Sequence, residues 1–297
     1  MHPGNRTTMF EWGRRTYVMG ILNVTPDSFS GDGLAVDGDP AITLEQTVGQ
    51  AVRFVDEGAD ILDIGGESTR PGSSPITAEE ELARVVPVVR AVRAAAPDTI
   101  ISIDTYRASV ASAALDAGAN WVNDVWGLRM DPAMAGLIAE RNCPVIIMHN
   151  RSKPKDVNQE ARLGGRYVGV HYTDLLGDIR AELLAQVDIA LAAGVQRDLI
   201  ILDPGIGFGK TVEQNLELLD RLGEIKALGF PVLLGPSRKS FIGYALDLPP
   251  DQRLEGTAAA VAIGIDRGAD IVRVHDVMMM ARVARMTDAI VRREANT

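Results

Sequence analysis

Two aspartates and an asparagine, Asp104, Asn123 and Asp203, each stand where a short, largely β-branched apolar run turns polar. Carboxylates and an amide converging from separate strands suit a flat ligand with a donor–acceptor edge, such as an aminopyrimidinone ring. They make a poor transition-metal site, because two acids and an amide come with no nearby histidine spacing. An aspartate ending one strand is more often a helix cap or turn residue, so the reading rests on the three together. His149 and His275 also close apolar runs, and either alone serves as readily as a hydrogen-bonded rim residue.

The stretch "DPGIGFGKT" (203–211) ends like a loop that cradles nucleotide phosphates. The pattern G-x-x-x-x-G-K-[ST] requires glycine at position 204, where this chain has Pro204. Proline removes a backbone donor at the point where the loop needs a permissive turn. Nucleoside triphosphate hydrolysis is therefore poorly supported. Anion chemistry is signalled elsewhere: Arg70 lies in "ESTRPGSS" (67–74) and Arg273 in "RVH" (273–275). The guanidinium's two-pronged donor set matches phosphate oxygens. Asn23, heading "NVTPDSFSGDG", offers a neutral oxygen to Mg²⁺, an ion that keeps waters and takes its other ligands from substrate phosphates.

The elements that must position these residues alternate along the chain. Apolar runs at 17–24, 59–66, 99–104, 121–125, 144–149, 199–204, 231–237 and 270–275 show little polar alternation, as strands buried on both faces do. Amphipathic segments separate them, among them 77–96, which opens on a Thr77/Glu80 capping box, and 211–229. Four segments run into glycine at Gly58, Gly118, Gly194 and Gly229, as helix C-caps do. The fold expected is α/β, a single (β/α)8 TIM barrel occupying 1–297 with its core from about 17 to 294. A doubly wound open sheet is the runner-up. In a barrel the C-terminal strand ends form one rim, which here collects Asn23, Asp104, Asn123, His149, Asp203, Lys239, Arg273 and His275. The connection 150–169 is long, polar and glycine-rich, which predicts a mobile active-site loop or a plain insertion.

Composition narrows the partners. The chain has 297 residues, 46% apolar and 24% charged, the balance of a soluble globular protein. A formal charge of −10 argues against nucleic acid, whose binders need a concentrated basic face. No apolar run approaches the roughly 18 residues of a membrane span, and the N-terminus carries no segment of signal-peptide type. One cysteine, Cys143, excludes an intrachain disulfide and fits a cytoplasmic setting.

The motifs "GILNVTPDSFS", "DIGGESTRPGS", "SIDTYRASVA", "NDVWG", "MH", "DPGIGFGKT", "GPSRKSFIG" and "IVRVHDV", in this order from about Met19 to Val277, closely resemble the dihydropteroate synthase family. The resemblance implies a transferase that joins p-aminobenzoate to 6-hydroxymethyl-7,8-dihydropterin diphosphate, giving 7,8-dihydropteroate and diphosphate in folate synthesis. It implies that Asp104, Asn123, Asp203 and Lys239 hold the pterin, with Met148 and Gly235 beside it. Asn23 would ligate Mg²⁺, and Arg70, Arg273 and His275 would take the diphosphate. Thr69 and Arg70 would lie on the second loop, and Phe208 and Ser240 would border the p-aminobenzoate pocket. Lys239, Arg70 and Asp104 would carry the catalytic work. A homodimer is implied too, and so is a relation to sulfonamides as target or resistant form; "VMMMARVARM" (277–286) suits either the dimer's packing face or ordinary helix core. The alternatives are a pterin-binding methyltransferase barrel acting on methyltetrahydrofolate, and a barrel that binds pterin without catalysis.

Overall fold

The computed structural model describes residues 10–24, 40–68, 75–153, 156–168 and 170–293. Its first half alternates strand and helix: β1 (Tyr17–Asn23), α1 (Pro40–Asp56), β2 (Ile61–Gly65), α2 (Ala78–Ala95), β3 (Ile100–Asp104), α3 (Ala108–Ala117), β4 (Trp121–Asp124), α4 (Met134–Arg141) and β5 (Val145–Met148). A two-stranded hairpin follows, β6 (Val157–Asn158) and β7 (Arg166–Tyr167), then α5 (Leu175–Ala192) and β8 (Ile200–Asp203). The chain continues through α6 (Val212–Asp220), α7 (Gly223–Lys226), β9 (Leu233–Leu234), α8 (Ser240–Leu246), α9 (Leu254–Asp266), β10 (Ile271–Val274) and α10 (Val277–Val291).

Eight of these strands form one parallel sheet in the order β8-β5-β4-β3-β2-β1-β10-β9. A parallel bridge between Leu202 and Val232 joins its two ends, so the sheet is a nearly closed barrel and the open-sheet alternative falls away. All eight expected strands are present. The seventh is much shorter than the apolar run 231–237, because Pro231 has no N–H to donate and Gly235-Pro236 ends the ladder. The Thr77/Glu80 capping box forms, and a second one forms at Thr211 with Gln214. Gly58, Gly118, Gly194 and Gly229 all have φ between +80° and +117°, the left-handed conformation that ends a helix without a Cβ penalty. The segment 211–229 breaks into two helices around Arg221 and Leu222.

Two apolar layers bracket the sheet. Outside, the helices pack Val85, Val89, Val110, Leu183, Leu218, Val261 and Met280 against the strands. Inside, Tyr17, Met19, Ile61, Ile100, Trp121, Ile146, Ile201, Leu233 and Ile271 fill the lower barrel, closed below by Phe10 and Trp12. Successive side chains of a strand alternate between faces, so the next inward position is two residues further on. Those positions are Ile21, Asp63, Ser102, Asn123, Met148, Asp203, Gly235 and Arg273. The period of two therefore converts an apolar plug into a mostly polar ring within one step. A third step brings Asn23 and Asp104 to the rim.

The described part of the 150–169 connection is the β6–β7 hairpin, pairing Val157 with Tyr167 and Asn158 with Arg166. It packs on the α8 side of the rim. The Tyr244 hydroxyl donates to the Gly164 carbonyl at 3.2 Å, and the buried Arg253 donates to the Leu163 carbonyl at 2.9 Å. The segment is thus a tethered element and not a featureless insertion.

The capping box gives a local test of the fold. Thr77→Ala removes the acceptor for the Glu80 N–H and should cost about 1 kcal/mol, seen as a fall in Tm of about 2 °C with turnover unchanged. A thermal scan with no shift would show that α2 needs no cap.

Candidate functional site

The mouth of the barrel is built on charge pairing. Arg273, from β10, donates through Nε to Asp63 Oδ2 at 2.6 Å and through Nη2 to Asp104 Oδ2 at 2.8 Å. Asn123 donates through Nδ2 to the same Asp63 oxygen at 3.1 Å. Four strands are thereby tied through side chains across the barrel. Asp63 Oδ1 and Ser102 Oγ remain buried with no hydrogen-bond partner among the described residues. Buried polar atoms are normally satisfied, and two left over beside one mouth mark a surface made for a polar ligand. Burial pushes the Asp104 carboxyl above the usual range while Arg273 opposes it, and burial does the same to Asp203 against Lys239.

The 203–211 segment is shaped by glycine. Asp203 Oδ1 accepts the Gly205 N–H at 2.7 Å. Gly205 has φ +69°, and a Cβ there would stand 1.8 Å from the His149 carbonyl oxygen, so no other residue fits. Gly207 admits Lys239, whose Cδ would lie 2.6 Å from an added Cβ. Lys239 Nζ donates to the Ile206 carbonyl and sits 4.1 Å from the centre of the Phe208 ring. Burial pulls this ammonium down to about 7, against the raising effect of Asp203. Arg238, just before it, has φ +55°, a conformation a non-glycine residue holds only when its surroundings insist. They do: its guanidinium grips Asp276 at 3.0 and 2.6 Å, and its N–H reaches Thr257 Oγ1 at 3.0 Å. That turn carries Lys239 into the mouth and leaves Ser240, half-buried, to begin α8.

Asp104, Asn123, Met148, Asp203, Gly235, Lys239 and Arg273 thus lie on one mouth. Asn23 ends β1 at the same rim, half-buried. His275 stands at the end of β10, its ring Nδ1 2.9 Å from Ser237 Oγ. Phe208 and Ser240 flank the Lys239 side. Thr69, Arg70 and the first loop, 25–39, lie outside the described residues. Sequence reasoning missed Asp63 and Ser102. The signal for Asp63 was an acid inside "ILDIG", a strand otherwise suited to burial on both faces. His149 turns away from the mouth: its Nε2 is 3.0 Å from Glu182 Oε2, and its Nδ1 is 3.0 Å from Lys210 Nζ.

Burial and the adjacent Lys210 hold His149 down to about 3, so it is neutral in the folded protein. An unfolded histidine titrates near 6.5, so the unfolded state takes up this proton first as pH falls. The stability His149 contributes is complete above about pH 6.5 and declines steadily toward pH 3. Between pH 7 and 5, above the range of Glu182, urea unfolding should show this decline in the unaltered protein and a flatter profile in His149→Gln. Identical slopes would show that His149 is protonated in the fold.

Comparison with known proteins agrees with this geometry. The sequence profile of the pterin binding enzymes matches residues 19–275. Dihydropteroate synthase of Clostridium beijerinckii is 50% identical over 285 residues, covering 96% of this chain and 97% of that protein. The crystal structure of dihydropteroate synthase from Clostridium difficile in the presence of pteroic acid has 49% identity and a TM-score of 0.85, covering 96% of this chain and 100% of that one. The Yersinia pestis dihydropteroate synthase with a sulfonamide drug complex has 39% identity and a TM-score of 0.84, covering 94% and 95%. The profile and these relatives extend over the same strands whose ends build the mouth, and the chain belongs to the pterin binding enzyme family, among its dihydropteroate synthases.

Proposed function

We propose that the polar ring of the barrel mouth holds the pterin and that the Lys239 side receives p-aminobenzoate. The observation that carries this reading is the set of inward groups above the apolar plug: Asp104, Asn123 and Asp203, with Asp63 and Ser102 still owning unpaired atoms. A carboxylate accepts two N–H groups from an aminopyrimidinone edge, and the Asn123 amide supplies one donor and one acceptor. Lys239 and Arg273 add donors for the ring's oxygen and nitrogens. Arg273 Nη1 is not engaged by Asp63 or Asp104, so one edge of the guanidinium is left for a diphosphate oxygen.

The chemistry follows from that placement. The C–O bond between the pterin methylene and the diphosphate breaks, the ring stabilises the resulting cation, and the neutral arylamine nitrogen bonds to the carbon and then loses a proton. No enzyme nucleophile is required. Preorganised cations at the rim stabilise charge as it develops on the leaving group. Arg70 and His275 would join Arg273 in this, and Thr69 would stand beside Arg70. Asn23 suits Mg²⁺, because it offers a hard neutral oxygen at the rim and such an ion completes its shell with water and phosphate oxygens. Bound there, Mg²⁺ would supply positive charge to the departing diphosphate. The curated relatives give no support to the methyltransferase alternative. A sulfonamide lies in the Yersinia pestis neighbour, and we take the same pocket here to admit one in competition with p-aminobenzoate.

Mixing protein, Mg²⁺, p-aminobenzoate and pterin diphosphate should release diphosphate only when the arylamine is present. Release without it would mean hydrolysis, and no release would favour a binding module. By calorimetry Asp203→Asn should weaken pterin binding by at least tenfold, whereas Arg273→Ala should mainly lower diphosphate affinity. Equal losses of both ligands in both variants would sink the division of labour.

A cytoplasmic homodimer completes the proposal. Among the described residues no helix is long and apolar enough to cross a membrane, and the single cysteine is buried. Met279, Met286 and Ile290 on α10, with Ile263 on α9, present exposed apolar side chains. Such surface on neighbouring helices fits a second copy of the chain. Sedimentation should find a dimer that Met286→Glu converts to monomer; a monomeric parent protein would refute it.

A further inference from the structure

Lys210 is the lysine of the segment that imitates a nucleotide loop, and it takes no part in the chemistry above. Its side chain is 2% exposed. Nζ lies 3.0 Å from His149 Nδ1, 2.9 Å from the Gly205 carbonyl oxygen and 3.1 Å from the Phe208 carbonyl oxygen. His149 Nε2 faces a carboxylate, Glu182, so the ring proton belongs on Nε2 and Nδ1 is an acceptor. Three acceptors around one nitrogen need three N–H bonds, which only the ammonium form has. Burial, with Lys239 and Arg151 nearby, pulls the Lys210 pKa well down against Asp203 and Glu182, but a neutral amine would turn a lone pair toward one of these three acceptors. Charge therefore alternates outward: Lys210 ammonium, neutral His149, Glu182 carboxylate, and the Arg151 guanidinium, whose Nε meets Glu182 at 2.8 Å.

The two carbonyls are the ends of one turn. Between them lies Ile206, whose carbonyl accepts from Lys239, and at the far end is Phe208, whose ring sits beneath the Lys239 ammonium. Gly205 links the two sides: its N–H holds Asp203 Oδ1 while its C=O holds Lys210 Nζ. We propose that Lys210 is a positioning residue for the reaction, a buried cation that pins the 205–208 turn and stands behind Asp203 as a positive charge that joins Lys239 and Arg273 in favouring its ionised form. The idea rests on the assignment of Asp203 to the pterin.

The charged groups around the pair come from every neighbouring element. Asp203 faces Lys239 from the loop before α8, Arg273 from β10, and Lys210. Lys210 faces Asp203 and Lys239, with Glu182 from α5 and Arg151 from the segment after β5 behind His149. Replacing Lys210 leaves Lys239 and Arg273 in the chain, so the formal charge removed is Lys210's alone.

Pterin binding without diphosphate, followed from pH 5 to 8, separates this role from simple scaffolding. Binding should weaken as pH falls and Asp203 takes up a proton, and Asp203→Asn should abolish that acid limb. Lys210→Gln keeps polar contacts without the charge and should move the limb upward by about one pH unit, which is roughly tenfold weaker binding at the acid end. A uniform loss at every pH, or an unmoved limb, overturns the inference. If Asp203→Asn binds pterin as well as the parent, the site assignment itself is wrong; if it binds poorly but keeps the limb, only the Lys210 proposal falls. Should Lys210→Gln fail to fold, ¹⁵N-lysine spectra of the unaltered protein decide the matter. A protected ammonium resonance at neutral pH supports the role, and a neutral amine overturns it.

Discussion

A guanidinium strung between two buried carboxylates is the contact on which the mouth depends. Asp63, Asp104 and Asp203 bring three acids into one narrow space; burial pushes Asp104 and Asp203 toward their protonated forms, and Arg273 opposes it at both. A buried ion pair is weak support for stability, since removing charges from water costs several kcal/mol per ion. Its use here is geometric. One rigid fork fixes two aspartates from adjacent strands and leaves each with an oxygen to spare. Lysine, a point charge on a flexible stem, would hold one acid and lose the other.

That arrangement explains why the interior changes character over so short a distance. The plug of Trp121, Ile146, Ile201 and their neighbours excludes water from below, so the ring of polar groups above it lies in a poorly screened environment. The apolar floor and the charged mouth are two layers of the same strands, separated by two residues.

Most of the fold was legible because its signals are local. Apolar runs without alternation, Thr77/Glu80, and the glycines at 58, 118, 194 and 229 each dictate a conformation within a few residues. Asp104, Asn123 and Asp203 could be picked out because they end strands. Asp63 and Ser102 could not, since a polar residue inside an apolar run gains its meaning only from the residues it faces across the barrel. Lys210 was misleading for a related reason: its neighbours in sequence mimic a phosphate loop, while its partners, His149 and Glu182, arrive from β5 and α5. The hairpin within 150–169 escaped because two-residue strands carry almost no periodicity.

The barrel wall is not uniform. Seven of its junctions are ladders, but β8 meets β9 through the single Leu202–Val232 bridge, with Pro231 accepting one hydrogen bond from the Leu202 N–H. That seam runs beside Asp203 on one side and Gly235 on the other. Backbone pairing therefore sets the spacing of the polar ring around β1 to β5, whereas the gap between Asp203 and the Lys239 turn is set by side chains, Lys239 reaching Ile206 and Asp270 fastening Val232. The joint between Asp203 and the Lys239 turn is therefore the part of the barrel frame least constrained by backbone pairing.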